Sequence, residues 1–193
     1  LHISTDFVFG GYGSSQPYAP DAPTAPEGVY ARTKLDGERA VIAACPDNLV
    51  VRTAWVHAPK GSNFVTTMLR LMGERETVGV VSDQISTPTG ARSLAQALWG
   101  LAHCQAEGIQ HFTDAGVASW YDFACAIQEE AAALGMLEGT VRIVPIATDE
   151  YPTPARRPAY SLLDKSRTWE LLGGPAPHWR TTLRETLQDI KNG

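Results

Sequence analysis

The chain has 193 residues, a formal net charge of −5 and 44% hydrophobic residues, an ordinary globular composition with enough apolar material for a core that folds without staples. The acidic balance, with a pI near 5.5, and the lack of any long like-charge run argue against nucleic acid or an anionic membrane as partner, and no apolar stretch is long enough to cross a bilayer. Cys45, Cys104 and Cys125 form no Cys-x-x-Cys spacing and read as three reduced, mostly buried thiols of a cytoplasmic protein.

The chain opens on Leu1-His2-Ile3-Ser4-Thr5-Asp6, with no initiator Met and no signal peptide. A strand-type run over Leu1 to Phe9 therefore starts at the first residue, as though preceding structure had been cut away. From Gly10 to Glu27 the composition turns to Gly, Ser, Pro and Asp, and Pro17, Pro20, Pro23 and Pro26 rule out a helix. Such a long loop inside a compact domain is usually functional or mobile. A helix is predicted from about Val29 to Ala44. Leu49 to Val56 then reads as a near-continuous apolar strand, the pattern of a parallel strand covered on both faces. Strand, loop, helix and strand make a βαβ unit of a doubly wound sheet.

Beyond it, helices are predicted over Asn63 to Glu74, Arg92 to Ala106 and Trp120 to Leu134. Strands are predicted over Thr77 to Val81, Gln110 to Thr113 and Val141 to Ile146. The stretch Trp120 to Ala126 reads as core packing. Tyr151 to Pro158, with three prolines and two arginines, must be an extended loop. An amphipathic helix carrying Trp179, Leu183, Leu187 and Ile190 on one face closes the chain. The expected fold is α/β: the C-terminal part of a doubly wound, Rossmann-like parallel sheet plus a small α/β substrate-binding lobe. Residues 1–60 form the remainder of a nucleotide-binding domain. Residues 61–193 form mainly the lobe, with some segments returning to the sheet.

The sharpest local signal is Tyr30-Ala31-Arg32-Thr33-Lys34. Positions four apart share a helix face, so phenol and ammonium can enter one pocket. A positive charge beside a phenol favours the phenolate, which suits Tyr30 to proton transfer near neutral pH. Tyr-x-x-x-Lys alone arises by chance on many helices. Here it opens a helix of a βαβ unit, downstream of a strand ending in Ser4-Thr5-Asp6, and ligands bind at the carboxyl ends of such strands. Ser or Thr there, with Tyr and Lys on the next helix, is the arrangement of short-chain dehydrogenases/reductases. Thr5 and Asp6 would otherwise simply cap a turn. Trp55 would be core or rim, Asp83-Gln84 would order the loop to Pro88, and Arg52 reads as a structural ion-pair residue outside the site.

The resemblance narrows further. His2 to Phe9, Tyr30 to Glu38, Val51 to Val56, Asn63 to Arg70, Val81 to Gln84 with Pro88-Thr89, Ser119 to Ala124, and Tyr151 to Ala155 with Arg157-Pro158 resemble, in order, the dTDP-4-dehydrorhamnose reductase family. The resemblance implies reduction of the 4-keto group of dTDP-4-dehydro-L-rhamnose by NADPH or NADH. It places Thr5, Tyr30 and Lys34 in catalysis, and Tyr30, Lys34, Thr53 and Ala54 against the cofactor. Asp6, Trp55, Asn63, Asp83, Gln84 and Arg157 fall on the substrate side, Arg157 suiting a diphosphate by its planar fork of donors. Mg2+ enters by the resemblance only, since His2, His57, His103, His111 and His178 show no ligand spacing. The implied partner is the dTDP-sugar, with room left for a homodimer.

A Gly-rich turn between a first strand and helix, needed to receive a pyrophosphate, is missing. Gly10-Gly11-Tyr12-Gly13 follows the catalytic strand and leads into a Pro-rich loop. The chain alone is therefore expected to bind dinucleotide poorly and to turn over little or not at all, and the choice between NADH and NADPH stays open. Two other readings stand beside the reductase. One is a non-catalytic regulatory subunit of the same fold, as reductase-like proteins serve methionine adenosyltransferase. The other is a related nucleotide-sugar epimerase or dehydratase.

Overall fold

The computed structural model describes residues 1–10, 14–151, 153 and 157–193. Gly11, Tyr12, Gly13, Pro152, Pro154, Ala155 and Arg156, on which some of the sequence readings rest, lie outside the described residues. In chain order the elements are β1 (His2–Thr5), α1 (Gly28–Ala44), β2 (Leu49–Thr53), β3 (Val56–His57), α2 (Phe64–Glu74), β4 (Thr77–Val81), β5 (Ile85–Ser86), β6 (Thr89–Gly90) and α3 (Ala91–His103). They continue with β7 (Gly108–His111), β8 (Ala118–Ser119), α4 (Trp120–Ala133), β9 (Arg142–Ile146), α5 (Ser166–Leu171) and α6 (Trp179–Asn192).

The chain is α/β, as its sequence predicts. β1 and β2 run parallel through α1, with Thr5 opposite Thr53, and β7 adds to the other side of β2 to give a parallel sheet in the order β1-β2-β7. β2 is buried along its whole length, which is why its sequence is apolar without alternation. β7 comes from beyond residue 60 and returns to this sheet. The other strands form short pairs: β3 with β6 and β4 with β9 in parallel, and β5 with β8 antiparallel. One core cluster holds Val65 and Met68 of α2, Phe123 and Ile127 of α4, and Leu183 and Leu187 of α6. A second cluster packs Leu94 and Leu101 of α3 on Leu49 and Val51 of β2.

Three expectations need correction. The opening strand stops at Thr5, because Asp6–Val8 winds into a single 3-10 turn capped by the Thr5 side chain. The strand expected to run on to Val56 breaks at Ala54-Trp55, where Trp55 adopts φ 45°. That left-handed value is unfavourable for a bulky side chain and cannot continue a pleated ladder. Finally, Cys45 and Cys104 are exposed and Cys125 half-buried; all three are free thiols, but they are not core residues.

Beneath the sheet, Arg52 and Glu38 form a buried bidentate pair, with Nε donating to Oε1 at 2.9 Å and Nη2 to Oε2 at 2.8 Å. Arg52 also donates to the Pro20 carbonyl at 3.0 Å and lies over the Phe9 ring. One guanidinium thus ties β2 to α1 and to the Pro-rich loop. This agrees with a structural role for Arg52.

Candidate active site

The chain enters α1 through Gly28, whose φ of +75° turns the backbone out of the Pro-rich loop. This puts Tyr30 in the first turn and Lys34 one turn on. Both line a cavity of about 580 Å³ whose opposite walls carry Thr5, Thr53, Ala54 and Trp55. Tyr30 as a residue is 57% exposed, and its ring meets Phe7 edge-on at 6.1 Å. Lys34 Nζ donates to the Ile3 carbonyl at 2.5 Å, which anchors the ammonium against β1. The Thr5 hydroxyl accepts from the Phe7 amide and donates to Asp6 Oδ1, each at 3.2 Å. Thr5 therefore both caps the turn and lines the cavity.

Asp6 lines the same cavity but is only 2% exposed, and its carboxylate is engaged by the protein. Ser161 donates to Oδ2 at 2.5 Å and Ser86 at 3.4 Å. Burial pushes its pKa up to about 6 against the lowering effect of these hydrogen bonds.

A second cavity, of about 410 Å³, shares Trp120 and Arg157 with the first. Its floor is apolar, from Met68, Val78 and Val80, and Arg70, Arg75 and Arg157 contribute guanidinium groups. Phe64, Trp120 and Tyr151 add aromatic surface. Trp120 stacks on Trp55 with ring centroids 3.6 Å apart and planes at 12°, so the pair stands where the two cavities meet. The sequence assigned Trp120 to the core with its neighbours. Phe123, Ala124 and Ala126 are buried there, but Trp120, at the first helical position of α4, reaches past the core into both cavities. Arg70, Arg75 and Tyr151 were also missed. No local pattern marks them, because they meet only when α2, β4 and the segment after β9 pack together.

Of the remaining predicted residues, Gln84 lines the second cavity. Asn63 and Asp83 line neither cavity. Asn63 is the N-cap of α2: Oδ1 accepts from the Val65 and Thr66 amides, and Nδ2 donates to the Ala58 carbonyl at 2.9 Å. Asp83 accepts from the amide and hydroxyl of Thr148.

The first cavity fits a polar ligand beside Thr5, Tyr30 and Lys34. The hydroxyls of Ser4 and Thr53 are buried there with no hydrogen-bond partner among the described residues, a state that native proteins rarely leave unmet. A nicotinamide cofactor's polar groups match that need. Mg2+ gains no support: among the described residues, no three His, Cys, Asp or Glu side chains are grouped to hold a metal ion. Among the same residues, no helix is long and apolar enough to cross a membrane.

A parallel sheet with Thr5 at a strand end, and Tyr30 and Lys34 on the following helix, places the chain in the class of Rossmann-like α/β folds. Comparison with known proteins narrows the class. The family model described as RmlD substrate binding domain matches residues 1–192. The spore coat polysaccharide biosynthesis protein SpsK of Bacillus subtilis is 43% identical over 189 residues, covering 98% of this chain and 64% of that protein. The dTDP-4-dehydrorhamnose reductase of Escherichia coli is 38% identical over 198 residues, covering 98% and 65%. The crystal structure of dTDP-4-dehydrorhamnose reductase from Bacillus anthracis in complex with NADP superposes with a TM-score of 0.87 at 33% identity, covering 97% of this chain and 64% of that one. The chain belongs to the RmlD substrate-binding-domain family, that of the dTDP-4-dehydrorhamnose reductases. It spans a little under two thirds of the length of these relatives.

Proposed function

We propose that this chain carries the proton-transfer and sugar-nucleotide portion of a cytoplasmic, NAD(P)H-dependent reductase that converts dTDP-4-dehydro-L-rhamnose to dTDP-L-rhamnose. The observation that carries the reading is the convergence of Thr5, Tyr30 and Lys34 on one cavity that shares Trp120 and Arg157 with an arginine-rimmed neighbour. An apolar floor with aromatic walls suits a pyrimidine base, and guanidinium groups suit a diphosphate. The deoxysugar then extends past Trp120 toward Tyr30.

In this role Tyr30 gives its phenolic proton to the 4-keto oxygen, and Lys34 keeps a positive charge beside the phenol as that proton leaves. Thr5 turns its hydroxyl from Asp6 to the same oxygen and stabilises the alkoxide as it forms. Thr53, Ala54, Tyr30 and Lys34 would hold a nicotinamide, which would supply the hydride when bound. Trp55 and Asp6 shape the sugar side. Asn63 and Asp83 act through the local structure they hold rather than by touching substrate.

The test is consumption of NADPH by the full-length gene product supplied with dTDP-4-dehydro-L-rhamnose. Tyr30→Phe is expected to lower turnover by roughly 10²–10⁴-fold while leaving the fold and sugar-nucleotide binding intact; turnover that survives overturns the assignment of the acid. The 193-residue chain by itself, whose sequence offers no Gly-rich pyrophosphate turn, is proposed to bind dinucleotide weakly and to turn over little. A titration showing tight NADPH binding to this chain alone refutes that.

A further inference from the structure

We infer that Gln84 is a positioning residue, its side-chain amide orienting the Trp120 indole and, through it, the stacked Trp55 that walls the catalytic cavity. The purpose assigned to that wall rests on the reductase reading; the linkage itself rests on geometry.

Trp120 Nε1 donates to Gln84 Oε1 at 3.2 Å, and Gln84 Nε2 donates to Thr148 Oγ1 at 3.1 Å. Thr148 Oγ1 in turn donates to Asp83 Oδ1 at 2.6 Å, and the Thr148 amide lies 3.0 Å from both Asp83 oxygens. The polarity of this chain has one consistent solution. Asp83 accepts only, so it takes the Thr148 hydroxyl hydrogen, and Thr148 Oγ1 can then only accept. Gln84 must present its NH₂ to Thr148 and therefore its carbonyl to Trp120. An indole N–H only donates, so it is fixed by the one group the amide has left for it. Gln84 is buried, where an amide held at both ends does not turn freely.

The second half of the linkage is the stack. Trp55 sits in left-handed backbone, a strained state for a bulky residue that persists only where its surroundings over-determine it. The surroundings are Trp120, 3.6 Å away and nearly parallel, itself backed by Phe64 at 4.6 Å. Loosening Trp120 removes the surface that holds Trp55. Thr148 also opens the one-turn helix Thr148–Glu150, which leads into Tyr151, Thr153 and Arg157 on the second cavity. The wall thus leans on the Thr148–Glu150 turn through the Thr148 hydroxyl that holds Gln84.

The experiment follows the indole N–H resonances of the chain's five tryptophans by NMR, assigned through Trp55→Phe and Trp120→Phe, with thymidine diphosphate titrated into each variant. In Gln84→Leu, the Trp120 resonance is expected to lose its hydrogen-bond shift. The Trp55 resonance, which does not touch Gln84, is expected to lose the ring-current shift of the stack. Gln84→Glu keeps an acceptor for Trp120 but loses the donor that Thr148 accepts from, so it is expected to keep the Trp120 hydrogen-bond shift and to weaken the Trp55 ring-current shift. Affinity for thymidine diphosphate is expected to fall about tenfold in Gln84→Leu, or about 1.4 kcal/mol. If Gln84→Leu does not fold, Thr148→Val removes the next link and is read the same way. A Trp55 resonance unmoved in the folded variant overturns the inference, as does unchanged affinity. If the unaltered chain fails to bind thymidine diphosphate, the reductase reading falls, and the Trp55 resonance still decides the role of Gln84.

Discussion

Asn63 spends every polar atom of its side chain on its own neighbourhood: the carbonyl oxygen caps α2, and Nδ2 holds the Ala58 carbonyl. A cap of this kind contributes about 1 kcal/mol. Asn63→Ala is therefore expected to lower unfolding stability by about that amount in a urea titration, with affinity for thymidine diphosphate unchanged. A loss of affinity without loss of stability would restore the substrate role that sequence resemblance implies. The two roles cannot be separated from sequence, since the same Asn begins a helix and lies in a block shared with the family. Tyr30 and Lys34 are different. Their spacing on one helix face forces both into one pocket once α1 packs on β1, so that part of the site was legible in the residues themselves.

Among the elements, α1 and β2 were readable because their apolar patterns follow directly from burial, and their boundaries agree with the sequence to within a residue or two at most ends. What the pattern could not show is the break at Trp55, because an apolar run looks the same whether or not one residue takes φ 45°. Nor could it place Trp120: helical spacing groups it with Phe123, but the end of a helix projects beyond the core that its middle builds. The tie between α1 and β2 is the Glu38–Arg52 pair, with both side chains 2% exposed. Glu38→Ala leaves a buried guanidinium without its carboxylate and is expected to cost about 3–5 kcal/mol, measured by denaturant unfolding. A cost below about 1 kcal/mol, the range of exposed pairs, would mean that water reaches Arg52.

Across the whole molecule, three buried titrating groups set opposing responses to acid. Burial holds His57 down to about 4, and burial with the Arg52 charge holds His111 down to about 3. Their contribution is present above the ordinary histidine range near 6.5 and is lost as the pH falls toward those values. Asp6, raised to about 6, acts in the other direction: its contribution is complete below the ordinary carboxylate pKa and is lost as the pH rises through about 6. Asp6→Asn removes this offset, together with hydrogen bonds from Ser161, Ser86 and Thr5 whose loss is a pH-independent cost. Relative to the unaltered chain, its stability is expected to fall more steeply on acidification, by about 1.4 kcal/mol per pH unit between about pH 4 and 6. Parallel stability curves for the two proteins would show that Asp6 ionises in the fold much as it does in the unfolded chain.

The most direct measurement of the proposed chemistry is the fate of deuterium when the full-length gene product reduces dTDP-4-dehydro-L-rhamnose with NADPH deuterated at the transferable position. The expected product is dTDP-L-rhamnose with one deuterium at C4 and consumption of one cofactor per sugar, both lost in Tyr30→Phe. A sugar that exchanges hydrogen at C3 or C5 with solvent, or loses water, without net oxidation of cofactor would contradict a reductase and point to an epimerase or dehydratase instead.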